Sequence, residues 1–565
     1  MTNRSLRQPR RSSAQLLARM LDEPSLVTTV QRLTPHALGK IIQHVGLEDC
    51  GEILSLATTE QLRRVFDEDL WRSDRPGRDE VFDADRFALW LEVMLEAGED
   101  FVAEKLADLP EDLVTMGLHR RILVLDMDQL ATEAREDGER LDKALEGCLR
   151  EEFDAYQVIA RRHDGWDSIV AVLTALDKHD HALLDRLLAR CCSMSSETID
   201  DNGGLYEVLT SEEMLEGDLA ADREDRRAAE GFIAPSQATS FLAMCRTTSP
   251  QEIVLQPRDA VTRAYFRELV PATDAAGKGA SNALPAPDAS ARLVADLERL
   301  LAELDTEDRP PDARPALLLT ERAGAGNPMA LFRTALATLL ERDPKLHGLR
   351  LEELAYLTNV IVAGCSLDGR AFRPFEAVVA VAAVCNLGLE RLAPGTGGNA
   401  KLAERAVTVL AREGADKAFR AGWWTLHHEV SLPTCAALAR AFARSARQTR
   451  DRELRHRYER SARFVDDTLA QGRPTLARQR LSDLDVDDAR RAALDGLLGE
   501  CPVLVGALGG ANSSLYSIDR DSAHARAKRG SGLTRRHFVG SNADLISVRA
   551  FLDALSGPAS VRRRR

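Results

Sequence analysis

The sequence predicts an all-α protein, with an N-terminal solenoid-like stack of short helices and a second helical domain built on a buried central helix. Three observations carry this reading. Apolar residues recur at helical spacing, as at Leu38, Ile41, Ile42 and Val45. Helix-start chemistry recurs just ahead of such stripes. Hydrophobic residues make up 44% of the chain and aromatics only 5%, so Leu, Ala and Val must build the interior; with 29% charged residues this suits packed helices.

The first stripe begins at Thr34, whose side-chain oxygen suits an N-cap, with Pro35 at the first helical position, where a missing N–H costs nothing. Gly46 ends it, and Glu48 and Asp49 are expected to open the next helix, where carboxylates favour the positive end of the dipole. Thr58 and Gln61 have capping-box spacing ahead of Leu62, Val65, Phe66 and Leu70. Helices this short must stack on neighbours to bury their stripes. A shift of 51 positions puts Ala37 and Leu38 on Ala88 and Leu89, Glu48 and Asp49 on Glu99 and Asp100, and Glu60 and Leu62 on Glu111 and Leu113. Tandem helix pairs with matching faces are what an α-solenoid requires.

The run from Leu33 through Leu62 resembles the cytosolic superhelical N-terminal domain of MgtE-type magnesium transporters over residues 30–125. That resemblance implies short stacked helices. It does not imply transport, because a membrane pore is missing. Further runs, VFDEDLW (65–71), ARRHDGWD (160–167), DDNGGLYEVL (200–209), LTNVIVAGCS (357–366) and VCNLGLE (384–390), resemble the bacterial domain-of-unknown-function family 6178, which implies no activity.

Further along, Leu118 to Asp128 is the best strand candidate in the first half. The segment 130–160 reads as helix, with Phe153, Tyr156 and Ile159 at three-residue spacing, and Trp166 to Cys192 gives two more helices. Thr210 and Glu213 repeat the capping-box spacing. Residues 271–290 are rich in Ala, Pro, Gly and Ser and read as a linker. Phe375 to Leu389 is apolar almost all round yet too short for a membrane, which marks it as a central buried helix, partnered by Leu351 to Cys365. Helices over 434–471 and Ala543–Leu555 complete this half. The expected organisation is a basic tail (1–13), a helical superhelix-like domain (14–265), a linker region (266–315), a second helical domain (316–510), and a polar segment with a final helix and basic tail (511–565).

No run of 18 or more uncharged apolar residues is present, so no membrane span is expected, and the basic N-terminus lacks the apolar stretch of a secretory signal. Nine scattered cysteines without C-x-x-C read as thiols of a reducing cytoplasm. The net charge is −14, yet residues 401–565 carry about +11 and the remainder about −25. Nucleic-acid binding is disfavoured because the arginines of the basic part alternate with acids, as in DRELRHRYER.

No site residue, metal or cofactor is assigned from sequence. Asp177, His179, Asp180 and His181 are metal-capable, but their helical spacing does not supply a pair like that in H-E-x-x-H. His427, His428 and Glu429 fail the same test beside the Trp423–Trp424 pair. His163–Asp164 reads as a helix end rather than an acid–base pair. The glycines of 395–398 precede Ala400, Lys401 and Leu402, which breaks the P-loop pattern. Gly324-Ala325-Gly326-Asn327-Pro328 reads as a loop before a helix, and Ser366 after Cys365 lacks an obvious base. The acids Asp67, Glu68 and Asp69, and Asp126 with Asp128, could hold magnesium through oxygen ligands, against a solvated-face reading. The reading is therefore a cytosolic interaction or scaffold module with an unidentified protein partner. The alternative is an enzyme with its site near Gly364–Arg370 and the Trp pair, marked by a polar pocket converging on Asp368, Arg370 and a histidine.

Overall fold

The computed structural model describes residues 26–73, 75, 77–128, 131–132, 146–195, 210–255, 329–394, 399–505 and 536–556. The expected linker 266–315, the loop 324–328 and the glycines 395–398 lie outside the described residues, as do Asn202–Gly204 and the polar segment 511–532. The fold is mainly α-helical. Its packing separates the described residues into two units, the first within 26–73 and 80–226 and the second within 75–79, 227–255 and 329–556. Among the described residues, no helix is long and apolar enough to cross a membrane.

The first unit starts with α1 (Leu26–Arg32), α2 (Pro35–Val45), α3 (Gly51–Leu54) and α4 (Thr59–Asp69). Thr34 caps α2 by accepting from the Ala37 N–H at 3.2 Å, and Gly46, at φ 104°, ends it. Both halves of the Thr58–Gln61 capping box form. The Gln61 amide, 4% exposed, also donates to the Val30 and Leu33 carbonyls at 2.8 and 2.7 Å, so one side chain ties α4 to the end of α1. Glu48 and Asp49 do not open a helix. They occupy the turn before α3, which starts at Gly51. After the short hairpin β1 (Trp71–Arg72) and β2 (Val81–Phe82) come α5 (Ala84–Glu96), α6 (Glu99–Asp108) and α7 (Glu111–His119). Under the 51-residue shift α2 falls on α5, α3 within α6, and α4 on α7, so the weak sequence match corresponds to matching helix positions.

Residues 150–160 correct the helical expectation. They form β4 (Arg150–Phe153) and β5 (Tyr156–Ala160), and β5 lies between β4 and β3 (Ile122–Asp126) in an antiparallel sheet. Val158 pairs with Val124 and Phe153 with Tyr156, across a two-residue turn whose Asp154 has φ 46°. A positive φ at such a turn suits the twist of the flanking strands. Strand β5 is buried over Gln157, Val158 and Ile159, so it shows none of the alternation that marks a half-exposed strand. Helices α8 (Trp166–His179), α9 (His181–Ser195) and α10 (Ser211–Ala229) complete the unit, α9 packing on β3 and α8 on α5 and α6. One hydrophobic core, from Val30 to Leu219, runs through these elements.

The second unit contains α11 (Pro235–Thr247), α12 (Pro250–Leu255), α13 (Ala330–Arg342), α14 (Pro344–Gly364), hairpin β6 (Ser366–Leu367) and β7 (Arg370–Ala371), and α15 (Pro374–Leu392). These are followed by α16 (Asn399–Leu426), a π-helical turn (His427–Ser431), α17 (Leu432–Gln448), α18 (Arg452–Ala470), a 3-10 helix (Pro474–Asp483) and α19 (Asp488–Leu497). A β8–β9 hairpin (Val503–Val505, Arg536–Phe538) and α20 (Asn542–Ser556) close it. As expected, α15 is the central helix, buried from Ala380 through Leu389. It packs on α14 and, most extensively, on α16. Gly388 and Gly422 make that crossing close, because a Cβ on either would fall on the other helix's backbone. Inside α16, Gly414 takes φ 94°, and the freed Ala415 N–H donates to the buried Glu353 carboxylate at 2.7 Å. Glu353 is also paired with Arg350.

Candidate functional site

The helical run from Asn399 to Gln448 has two irregularities, the Gly414 kink and a widened turn at His427–Ser431, and proline chemistry accounts for the second. Pro433 has no N–H for the carbonyl of Glu429, and its ring would press on that carbonyl. The chain accommodates this by widening over His427–Ser431, where the Leu432 N–H reaches back five residues to the His427 carbonyl. Such π turns are uncommon and concentrate at functional sites.

His427 and Ser431, the two ends of this turn, line a cavity of about 730 Å³. Leu242 and Arg246 of α11 form another part of the wall, with Gly364 and Ser366 at the α14–β6 junction. The approach to the 3-10 helix (Arg473–Leu476), the α19–β8 turn (Gly499, Glu500, Pro502) and the segment carrying Arg75 and Arg78 complete it. Gly364 allows α11 to close on this wall, since a Cβ there would stand 3.0 Å from that of Ala238. Trp423 also lines the cavity; it is 2% exposed, stacks on Phe419 at 5.6 Å, and its Nε1–H has no hydrogen-bond partner among the described residues.

Arg246 and the exposed Arg75, Arg78 and Arg473 line the cavity together with Glu500, which accepts from the Ser366 N–H. Burial, then Arg246 and His428, push the His427 imidazole down from its ordinary 6.5 to about 4, so at neutral pH it is uncharged. His428 does not join it. Its Nε2 sits 3.0 Å from the Arg246 carbonyl, and its ring lies against Trp424 at 4.3 Å.

The cavity includes much of the stretch named for the enzyme alternative: Gly364, Ser366, Gly369, Trp423 and His427 all line it. Asp368 and Arg370 do not converge there. Asp368 is bound by Arg536 at 2.7 and 2.9 Å, which lowers its carboxyl pKa, and Arg370 is bound by Glu376 at 2.7 and 2.6 Å. Sequence reading missed Arg246 and Arg473, which nothing local sets apart from other helix-end arginines. Pro433, inside an otherwise uninterrupted helical pattern, was the available signal for the π turn.

The remaining candidates serve the first unit's structure or its surface. Asp67 is gripped by Arg226 at 2.8 and 2.6 Å, and Asp69 by Arg86 and by the Trp90 indole N–H at 2.6 Å, so these carboxylates are taken up internally. Asp126 accepts the Asp128 N–H in the turn after β3. His163 and Asp164 are exposed at the entry to α8, where the Asp164 carbonyl accepts from Arg121. Contrary to the expectation from sequence, Asp177 and His181 form a close pair. They stand four apart across the α8–α9 junction, His181 Nδ1 lying 2.7 Å from Asp177 and Nε2 3.3 Å from Asp154. All three are exposed, with ligand-capable atoms within 4.8 Å of one another.

Residues 4–200 match a family of unknown function, DUF6178. The match takes in VFDEDLW and ARRHDGWD and ends before α10. LTNVIVAGCS and VCNLGLE, which form α14 and α15, lie outside it. No curated protein and no solved structure matches the chain.

Proposed function

We propose that this protein binds a small organic molecule, and that the cavity of the second unit is the binding site. The π turn carries the reading: Pro433 widens the helix where His427 and Ser431 form part of the wall. The volume is of the class that encloses drug-sized ligands, and apolar Leu242, Leu426 and Leu476 alternate with polar groups around it, as in most such sites. The support is for binding rather than chemistry, since Asp368 and Arg370 are engaged in ion pairs.

A thermal-shift screen of the full chain against organic acids, phosphates, amines and neutral metabolites tests this. A bound ligand raises the melting temperature by mass action. At least one class should do so, and Thr239→Trp, which fills the cavity from half-buried Thr239 on α11, should abolish the shift. The reading fails if no class shifts the protein, or if Thr239→Trp responds like the wild type. A second reading keeps the protein-interaction role for the first unit; what supports it is the correspondence of α2–α4 with α5–α7 under the 51-residue shift.

A further inference from the structure

We infer that the N-terminal half of α10 is a releasable clasp, which opens from α7 and the β1–β2 hairpin while the C-terminal half stays anchored. The two halves are held by different chemistry. From Ser211 to Asp218 the buried side chain is that of Leu215. Glu212 meets Arg120, the residue that ends α7, at 2.8 Å and His119 Nε2 at 3.4 Å. Glu216 meets Arg120 at 2.6 Å and accepts the Phe82 N–H of β2 at 3.3 Å. Arg120, Glu212 and Glu216 stay partly open to solvent, where ion pairs are weak and salt screens them.

The C-terminal half is held from inside. Arg223, 4% exposed, donates to the Asp67 carbonyl, pairs with Glu80 at 2.6 Å and lies 5.0 Å from the centre of the Trp71 ring. Arg226 grips the Asp67 carboxylate at 2.8 and 2.6 Å. Parting buried charges is far more costly than parting solvated ones. Between the halves stands Gly217, exposed and with nothing within 4 Å of its would-be Cβ. No close packing calls for a glycine there, and glycine weakens a helix at an interior position. Two turns of helix without their packing are marginal in water, so the clasp unwinds once its ion pairs let go. Opening bares the Phe82 N–H, a backbone donor of β2 that Glu216 covers, together with His119. Access to this part of the first unit is thereby tied to ionic strength, with Gly217 as the joint.

Hydrogen exchange of the full chain, followed by mass spectrometry at about 20 and about 500 mM NaCl, tests this. Measured against α7, peptides within 211–217 should exchange about fivefold faster at the higher salt, the fold-change that loss of exposed ion pairs permits. Peptides within 219–229 should not change. Arg120→Gln should give about the same acceleration at low salt and leave little salt response. Asp218→Asn, which removes an exposed carboxylate of the same helix, should do neither. Wild-type protection of α4 confirms that each variant folds. Equal protection of both halves at either salt overturns the inference, as does protection lost together across 211–229. An Arg120→Gln protein that exchanges like the wild type overturns it too, and so does Asp218→Asn acting like Arg120→Gln.

Discussion

Alanine for Gly388 isolates the close crossing of α15 and α16. On intrinsic propensity alone this substitution inside a helix is favourable by up to about 1 kcal/mol. The neighbouring helix reverses the sign. A Cβ at Gly388 would sit on the Ala418 carbonyl and 2.9 Å from the Gly422 nitrogen, where ordinary contacts begin at 3.4 Å. The obstruction is backbone, so no side chain can swing away, and the helices must part by roughly an ångström or more along a seam that buries Val384, Leu387, Ala418 and Phe419. Overpacking of this kind costs about 1–3 kcal/mol, and a rigid obstacle places Gly388→Ala at the upper end. Gly217 supplies the control, because in α10 it has nothing within 4 Å of its would-be Cβ and alanine there should be neutral or stabilising. Hydrogen exchange read on peptides from 374–392 and 415–426 reports this unit by itself, which a whole-chain melt of a two-unit protein does not. Protection in Gly388→Ala equal to or above wild type would refute the argument from the crossing.

Two further outcomes follow from buried charge. Glu353→Gln removes the carboxylate paired with Arg350 and weakens the acceptor for the Ala415 N–H at the Gly414 kink, so unfolding of the second unit in urea should become easier by about 3–5 kcal/mol. Between pH 6.5 and about 4, His427 takes up a proton in the unfolded chain before it does so in the folded protein, so acid favours unfolding across that window. The contribution is complete above pH 6.5 and lost as pH falls through about 4, and His427→Gln should flatten that part of a stability–pH curve. An unchanged slope would show that the ring is solvated.

What the sequence disclosed was local. Thr34 with Pro35, and Thr58 with Gln61, act within one turn of backbone, and the structure forms both caps as read. The apolar run of α15 declared a buried helix because its composition forbids any other place for it. The strands at 150–160 went unread for the opposite reason. Phe153, Tyr156 and Ile159 happen to share helical spacing, while β5 is held between its hairpin partner β4 and β3, the latter across a long stretch of chain. The cavity was half legible. Gly364, Ser366 and the Trp pair stand out as unusual residues, but Arg246 and Arg473 gain their meaning only from convergence. Asp177 and His181 were misjudged because a four-residue pair was taken to be absent, although these two positions supply that spacing.

The π turn also sets a phase. Every residue downstream inherits the extra position it introduces, and one residue corresponds to about 100° of turn around a helix axis. As built, α17 directs Leu438 and Phe442 into the core it shares with α18, and holds Arg440 and Arg447 outward. Excising a single residue between His427 and Ser431, with Pro433 replaced by alanine so that a regular spiral can form, would swing that whole helix out of alignment, carrying leucine and phenylalanine toward water and arginines toward the interior. The cavity's irregular wall and the packing of the following helix pair are therefore inherited together, and straightening one undoes the other.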